Sequence, residues 1–280
     1  MEQWKDDDIA MKYTRAENAT GPFADIMVRE AGLGNLRDGE KISALDIATG
    51  TGAVVAALHD AVGKEKWDQV NVVAGDVSEG MLAYLQKRGA REGWKNVDVR
   101  KIDGANIGTQ ESFTHIFINF AIFVLPPNTL QTCTSLLQAN GFLAVSTWAY
   151  FPWYPLLSRA VAALPSPPPM PSYSAVAQRI YNTIPWDEAY VRSVLEKEGM
   201  RDVQIVQEKK RVDCGTPAQF VETMSLPLQM VAGAWEEGER AALVKEVGDS
   251  VRRIASEEAG GEGETVWMEF EGIVGFGWKA

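Results

Sequence analysis

One segment constrains this 280-residue chain more than any other: ALDIATGTGAVV, at residues 44–55. Residues 43–47 read as a buried strand, and the acidic Asp46 lies near its end. A turn rich in glycine follows, and a helix starts at Ala53. Gly50 and Gly52 let the backbone approach a ligand closely, because neither carries a Cβ. The helix that follows presents free N–H groups to a polar or anionic group. Asp46 is positioned to meet an amino or ammonium group. A strand, glycine turn and helix in this order open a βα unit, so the chain is expected to be an α/β protein with its ligand site at this turn.

The flanking sequence agrees. From about residue 42 to 148, apolar runs alternate with helical patterns. Strands are expected at 43–47, 70–74, 97–102, 115–120 and 141–148, and helices at 53–62, 78–88 and 130–137. The run at 115–120 is apolar enough for a sheet centre. Alternation at this spacing predicts a parallel sheet covered on both faces. After Trp148 the pattern changes, and residues 149–171 are dense in proline and aromatics. The run from Pro165 to Pro171 excludes helix and central strand, so an extended surface connection is expected, with regular structure resuming at Trp186. Asp187 is placed to cap a helix at 188–198, closed by Gly199. A strand at 203–212, a helix opened by Thr216-Pro217, a helix at 238–258, a flexible GGEGE turn and a strand at 270–278 complete the reading.

Two ligand classes compete for the turn. A dinucleotide site calls for G-x-G-x-x-G or G-x-G-x-x-A. Here Val55 stands at the third position and Asp46 precedes the turn, which fits poorly. The stretch D-I-A-T-G-T-G instead resembles the D-x-G-x-G-x-G motif of class I S-adenosylmethionine-dependent methyltransferases, with Ala48 at the first glycine, a common variant there. The blocks GDVSEGML, REGW, STW with FPWYP, and WDEAYVRSVLEKEGMRDV are similar to small-molecule methyltransferases of the ubiquinone/menaquinone-biosynthesis type. More narrowly they resemble fungal thiol methyltransferases that cap dithiol metabolites such as gliotoxin.

The resemblance implies a Rossmann-like seven-stranded sheet, mostly parallel, with the last strand antiparallel, helices on both faces and an aromatic lid. It implies S-adenosylmethionine as cofactor and S-adenosylhomocysteine as product. Asp46, Ala48, Thr49, Gly50 and Gly52 then form the first part of the cofactor site. Asp76 takes the ribose hydroxyls, with Val77 and Met81 beside it. Asp103 faces the adenine amine, and the Gly104 backbone lies under the ring. Asn119 and Phe120 end the fourth strand against cofactor and substrate. Tyr13 and Phe23 are candidates for covering the site. A single domain over 1–280 is expected, with an N-terminal helical cover at 1–40, a cofactor-binding core at 42–148 and a substrate lid at 149–186 and 215–262.

Trp148, Phe151, Trp153 and Tyr154 leave the fifth strand at the ligand edge and are read as substrate wall and lid, or alternatively as a small aromatic core under that lid. The formal net charge of −11 argues against a nucleic-acid partner, which needs a basic face. Cys133 and Cys214 lie in no Cys/His cluster, so no metal site is expected, and free thiols suit a cytoplasmic location. The polar start MEQWKDDDIAMKY is unlike a secretory signal, and no apolar run approaches the ~20 residues of a membrane span. The partner is therefore expected to be a small molecule. The histidines are His59 and His115. His115 begins its strand, at the edge opposite the turn. His59 lies about 10 Å along the helix from Gly52 at ~1.5 Å per residue. With neither placed as a base, no catalytic residue is assigned, and a thiol acceptor is favoured over nitrogen or oxygen. A cyclase or isomerase on the same fold, and a binding protein with a degenerate site, remain alternatives of other classes.

Overall fold

The computed structural model describes the backbone of residues 9–280 and the side chains of residues 17–280. Helix α1 (Ile9–Glu30) comes first and contains Pro22. Strand β1 (Ile42–Ile47) is buried at every position but Ser43. Such burial on both faces is what a central strand of a covered sheet requires. Then come α2 (Ala53–Ala61), β2 (Val70–Asp76), α3 (Glu79–Glu92), β3 (Val97–Lys101), β4 (Phe113–Ile118), α4 (Thr129–Leu136) and β5 (Leu137–Tyr150). The remaining elements are α5 (Trp153–Ala162), α6 (Tyr173–Ile180), α7 (Glu188–Lys197), β6 (Met200–Asp213), α8 (Pro217–Thr223), α9 (Ser225–Ala232), α10 (Glu237–Ala259) and β7 (Trp267–Lys279).

The seven strands form one sheet in the order β3-β2-β1-β4-β5-β7-β6. It is mostly parallel with one antiparallel strand, as the sequence led us to expect. Strand β1 pairs in parallel with β2 on one side, Asp46 beside Ala74, and with β4 on the other, Asp46 beside Phe117. The chain thus runs outward from β1 to β3, then returns across β1 to begin β4. Ligands of open α/β sheets bind at such a reversal, beyond the strand C-terminal ends. The β1 turn lies there.

The chain divides into two compact units. The first comprises Met1–Ala149, Trp186–Glu208 and Gly272–Ala280. Its core crosses the sheet through Phe117, Phe142 and Phe276, with ring centroids 6.0 and 5.7 Å apart. Phe23 of α1 is fully buried and lies against Gly272 of β7, where a side chain would collide with its ring. The second unit comprises Tyr150–Pro185 and Lys209–Glu271. Within it α10 packs against α5, α8 and α9.

The second unit holds more regular structure than the sequence suggests. Order resumes at α5 and α6, not at Trp186. The prolines explain how. Pro152 is the N-cap of α5 and Pro155 falls in its first turn, positions where no backbone N–H is needed. Ser172 caps α6 by accepting from the Ala175 N–H. Between the two helices, residues 165–171 have no regular structure, as expected. That connection is nevertheless tied down. Tyr154 Oη donates to the Pro171 carbonyl at 2.8 Å, and Trp235 Nε1 donates to the Pro169 carbonyl at 2.9 Å.

Among the described residues no helix is long and apolar enough to cross a membrane, and no group of three or more His, Cys, Asp or Glu could hold a metal ion. A Cβ added at Gly272 would lie 2.5 Å from the Phe23 ring. Gly272→Ala should therefore destabilise the fold by about 1–3 kcal/mol, the usual cost of overpacking. Chemical denaturation checks this, and a loss below about 0.5 kcal/mol would contradict the packing described.

Candidate active site

The turn after β1 is held in an uncommon backbone state. Ala48, Gly50 and Gly52 have φ of 55°, 54° and 91°. Gly50 and Gly52 bear this freely, whereas Ala48 is strained by about 1–2 kcal/mol. Gly52 has a second constraint, since any Cβ there would run into Leu85 of α3. Two carboxylates fix the turn. Thr49 Oγ1 donates to Asp46 Oδ2 at 2.5 Å. The Gly50 N–H donates to Asp76 Oδ2 at 2.9 Å, and the Ser78 N–H donates to Asp76 Oδ1 at 2.9 Å. Ser78 in turn caps α3 by accepting from the Met81 N–H.

Both carboxylates are buried. Asp46 is 1% exposed, and among the described residues its Oδ1 has no hydrogen-bond partner. Burial pushes its pKa from an ordinary 3.8 up to about 7; the Thr49 bond opposes that rise and the Asp76 charge adds to it. Asp76 is also raised by burial, against the pull of the N–H groups of Ser78, Gly50 and Val77. An orphaned buried acceptor at Asp46 fits an incoming ammonium. The two Asp76 oxygens together offer about four acceptor sites, more than these three backbone N–H groups use, which leaves room for a hydroxyl donor. The residues thus fit the amino-acid end and the ribose of S-adenosylmethionine.

The other expected residues fall as follows. Val77 is half-buried and Met81 buried beside the β2 end. Asp103 is exposed, and its Oδ1 accepts from the Ala105 N–H at 2.9 Å, shaping the turn after β3. Gly104 is buried, and a Cβ there would lie 2.6 Å from Leu125. Asn119 donates from Nδ2 to the Thr20 carbonyl at 3.3 Å and accepts at Oδ1 from Ser146 Oγ at 2.7 Å. The Phe120 N–H donates to the same Ser146 oxygen at 2.8 Å. Phe120 has φ of 50°, an outlier for an aromatic residue, and stacks on Trp148 with centroids 3.7 Å apart. Phe23 meets both rings edge-on at 5.1 and 6.0 Å. So α1, the β4 end and β5 bring Phe23, Asn119, Phe120 and Trp148 together. The Tyr13 side chain lies outside the described residues.

Phe151, Trp153 and Tyr154 belong to the second unit and form an aromatic cluster with Tyr173 and Tyr181. Neither histidine is free. His59 Nδ1 faces the Val55 carbonyl at 2.8 Å and Nε2 the Lys95 carbonyl at 3.1 Å, with the ring stacked on Trp94. His115 sits on the N-terminal half of β4, and burial pushes its pKa down to about 4. Four residues of this region were not anticipated: Glu17, Thr51, Arg88 and Ser146. Thr51 stood inside the turn motif; the other three carry no local pattern that marks them.

Comparison with known proteins places the chain in a family. The methyltransferase domain family matches residues 44–141. Methyltransferase ktnA of Aspergillus niger is 30% identical over 91% of this chain and 90% of its own length. Acetylaranotin bis-thiomethyltransferase of Aspergillus terreus is 27% identical over 90% of this chain and 88% of its own. Phosphoethanolamine N-methyltransferase 2 of Haemonchus contortus, solved with phosphomonomethylethanolamine and S-adenosylhomocysteine, shares the fold. Its TM-score is 0.52 at 13% identity, covering 92% of this chain and 52% of that one. From its motif, its sheet and a relative aligned over nearly its full length, the chain belongs to the class I S-adenosylmethionine-dependent methyltransferases.

Proposed function

We propose that the protein methylates a sulfur atom of a small, largely apolar metabolite. The observation that carries this reading is the placement of the two histidines. Each imidazole is locked in packing, so neither is available to strip a proton from a weakly acidic hydroxyl. A thiol has an ordinary pKa near 8.5, and a useful fraction is already thiolate at neutral pH. The thiol-methylating relative from Aspergillus terreus supports the same choice.

When bound, S-adenosylmethionine supplies a methyl carbon whose bond to the sulfonium sulfur breaks as the acceptor's sulfur lone pair takes it, leaving S-adenosylhomocysteine. The chain's own residues then have these roles. Asp46 Oδ1 receives the ammonium group. Asp76 accepts from the ribose hydroxyls, Asp103 and Gly104 meet the adenine, and the backbone of Ala48–Gly52 lies close alongside. Val77 and Met81 add apolar contact. Phe120, stacked on Trp148 beside Asn119, sets the apolar surface at which the acceptor aligns, and alignment alone supplies up to roughly 7–11 kcal/mol in favourable cases. Phe151, Trp153 and Tyr154 select the acceptor. The chain works as one methyltransferase domain, with residues 42–148 serving the cofactor and 149–186 and 215–262 serving the acceptor.

A panel of thiol, amine, carboxylate and phenol acceptors, followed by mass spectrometry, tests this. Methylated thiol should form in step with S-adenosylhomocysteine. Product on phenol or amine alone would overturn the sulfur assignment, and turnover of a substrate without S-adenosylhomocysteine would point to a cyclase or isomerase. His115→Phe and His59→Gln, once shown to be folded, should keep single-turnover rates within a few-fold of the parent. Loss of a general base would cost about 10²–10⁴-fold, and a drop of that size in either variant would rule out base-free transfer.

Asp46 generates a prediction of opposite signs. Its folded pKa, about 7, lies above its ordinary 3.8, so the folded state holds the proton more tightly. The stability this gives is full below the unfolded value and is lost as pH rises towards 7, at about 1.4 kcal/mol per pKa unit. Asp46→Asn should therefore raise the melting temperature of the ligand-free protein at pH 8, with the gain fading towards pH 4. The same variant should weaken cofactor binding at pH 8 by roughly tenfold or more, the worth of a charge-assisted bond. Calorimetry and thermal melts decide. A variant no more stable at pH 8, or one that binds unchanged, contradicts the assignment.

A further inference from the structure

Helix α1 is long but not uniform, because Gly21 and Pro22 lie in its middle. Proline removes a backbone N–H and clashes with the preceding turn, and glycine adds freedom beside it, so this pair is a hinge point. The two sides of the hinge are held differently. On the C-terminal side Phe23, Ile26 and Met27 are buried in the core, so that arm is anchored by packing. On the N-terminal side, among the described residues, Ala19 is buried, the Thr20 carbonyl accepts from Asn119, and the charged tie is made by Glu17.

Glu17 meets two partners that come from different elements. Arg88 of α3 donates from Nη1 to both Glu17 carboxylate oxygens at 2.7 Å, and also to the Thr51 carbonyl at 2.9 Å. Thr51 Oγ1 donates to Glu17 Oε2 at 2.5 Å. The side chains of Arg88 and Glu17 are only 15% and 16% exposed. The Arg88 guanidinium also lies 5.1 Å from the Trp94 ring. An exposed ion pair contributes little to stability. This one is largely shielded and shares two hydrogen bonds with the strained turn that carries Ala48, Gly50 and Gly52. Removing one partner leaves a buried charge uncompensated, so the pair should act as a unit.

We propose that the Glu17–Arg88 pair is a latch that holds the outer arm of α1, on the far side of the Gly21-Pro22 hinge, against the glycine-rich turn, and so governs how long the cofactor stays bound. This rests on the reading that the turn holds S-adenosylmethionine. Glu17 and Arg88 are positioning residues: they act by fixing Thr51 and the outer arm. Arg88 differs from a lysine here in that its planar guanidinium also lies over the Trp94 ring, 5.1 Å from the centroid.

Hydrogen exchange on the ligand-free protein, with stopped-flow release of S-adenosylhomocysteine, tests this on Glu17→Gln, Arg88→Gln and the double variant. Amides of residues 9–20 should exchange at least tenfold faster in each variant, while those of 23–30 keep the parent's protection. Release should accelerate about tenfold or more in each single variant, and the double variant should be no faster than the worse single, as expected of groups acting as one. Arg88→Lys, which keeps the charge but loses the planar group against Trp94, should fall between. Exchange that is unchanged, or that rises uniformly along α1, would overturn the hinged latch. Unchanged release with altered exchange would overturn its link to the cofactor. A parent protein that fails to bind S-adenosylhomocysteine would instead sink the cofactor reading, while the exchange experiment still decides the latch.

Discussion

Two desolvated carboxylates at neighbouring strand ends set the terms for everything around them. Asp46 and Asp76 have each been withdrawn from water, and each is held by donors from the same turn. Burial of a charge is unfavourable unless it is compensated. For Asp76 two backbone N–H groups largely provide the compensation. For Asp46 one oxygen receives no donor among the described residues. The ligand-free fold therefore contains a standing electrostatic deficit that a cation placed at Oδ1 removes. That is how a site binds a zwitterionic group tightly without a large apolar contact. The binding free energy includes relief of a cost already present in the fold.

The same logic explains the turn's covalent choices. The backbone turns sharply while its Gly50 N–H serves as hydrogen-bond donor to Asp76, and three positive φ angles accomplish this. The first of the three is carried by alanine, at a modest cost in strain. The methyl group is tolerated because positive φ, not an absent Cβ, is what the position demands. Gly52 is the reverse case, where both conformation and the nearness of Leu85 exclude a side chain. Gly75 resembles Gly52 in the second respect, with Ile102 only 2.6 Å from where a Cβ would lie. Close packing between β2 and the loop after β3 thus keeps Asp76 at its post.

Much of this was legible beforehand, for definite reasons. The first five strands and the turn were readable because alternation and glycine placement are local signals, and a buried parallel strand has few other interpretations. Asp46 and Asp76 were readable because their positions follow from strand ends. Helices α5 and α6 were not read, because proline density suppresses a helical reading unless the prolines are seen to occupy first-turn positions. Glu17 and Arg88 were not read either. They are 71 residues apart, and each looks like an ordinary charge on a helix surface. Ser146 was missed because one serine in an apolar strand has no periodicity to betray it, yet it ties Asn119 to the strained Phe120.

The second unit is held together by bonds of its own. Its proline connection is held by Tyr154 and Trp235, and its aromatic cluster is built from Phe151, Trp153, Tyr173 and Tyr181, all within that unit. None of these bonds involves the turn after β1. Changes in ring size or polarity there act first on that aromatic cluster. By contrast, a change at Asp46, Thr49 or Asp76 perturbs a network in which every donor has an assigned acceptor. The bonds that hold the aromatic cluster and those that hold the buried carboxylates share no residue, so each set is perturbed by its own substitutions.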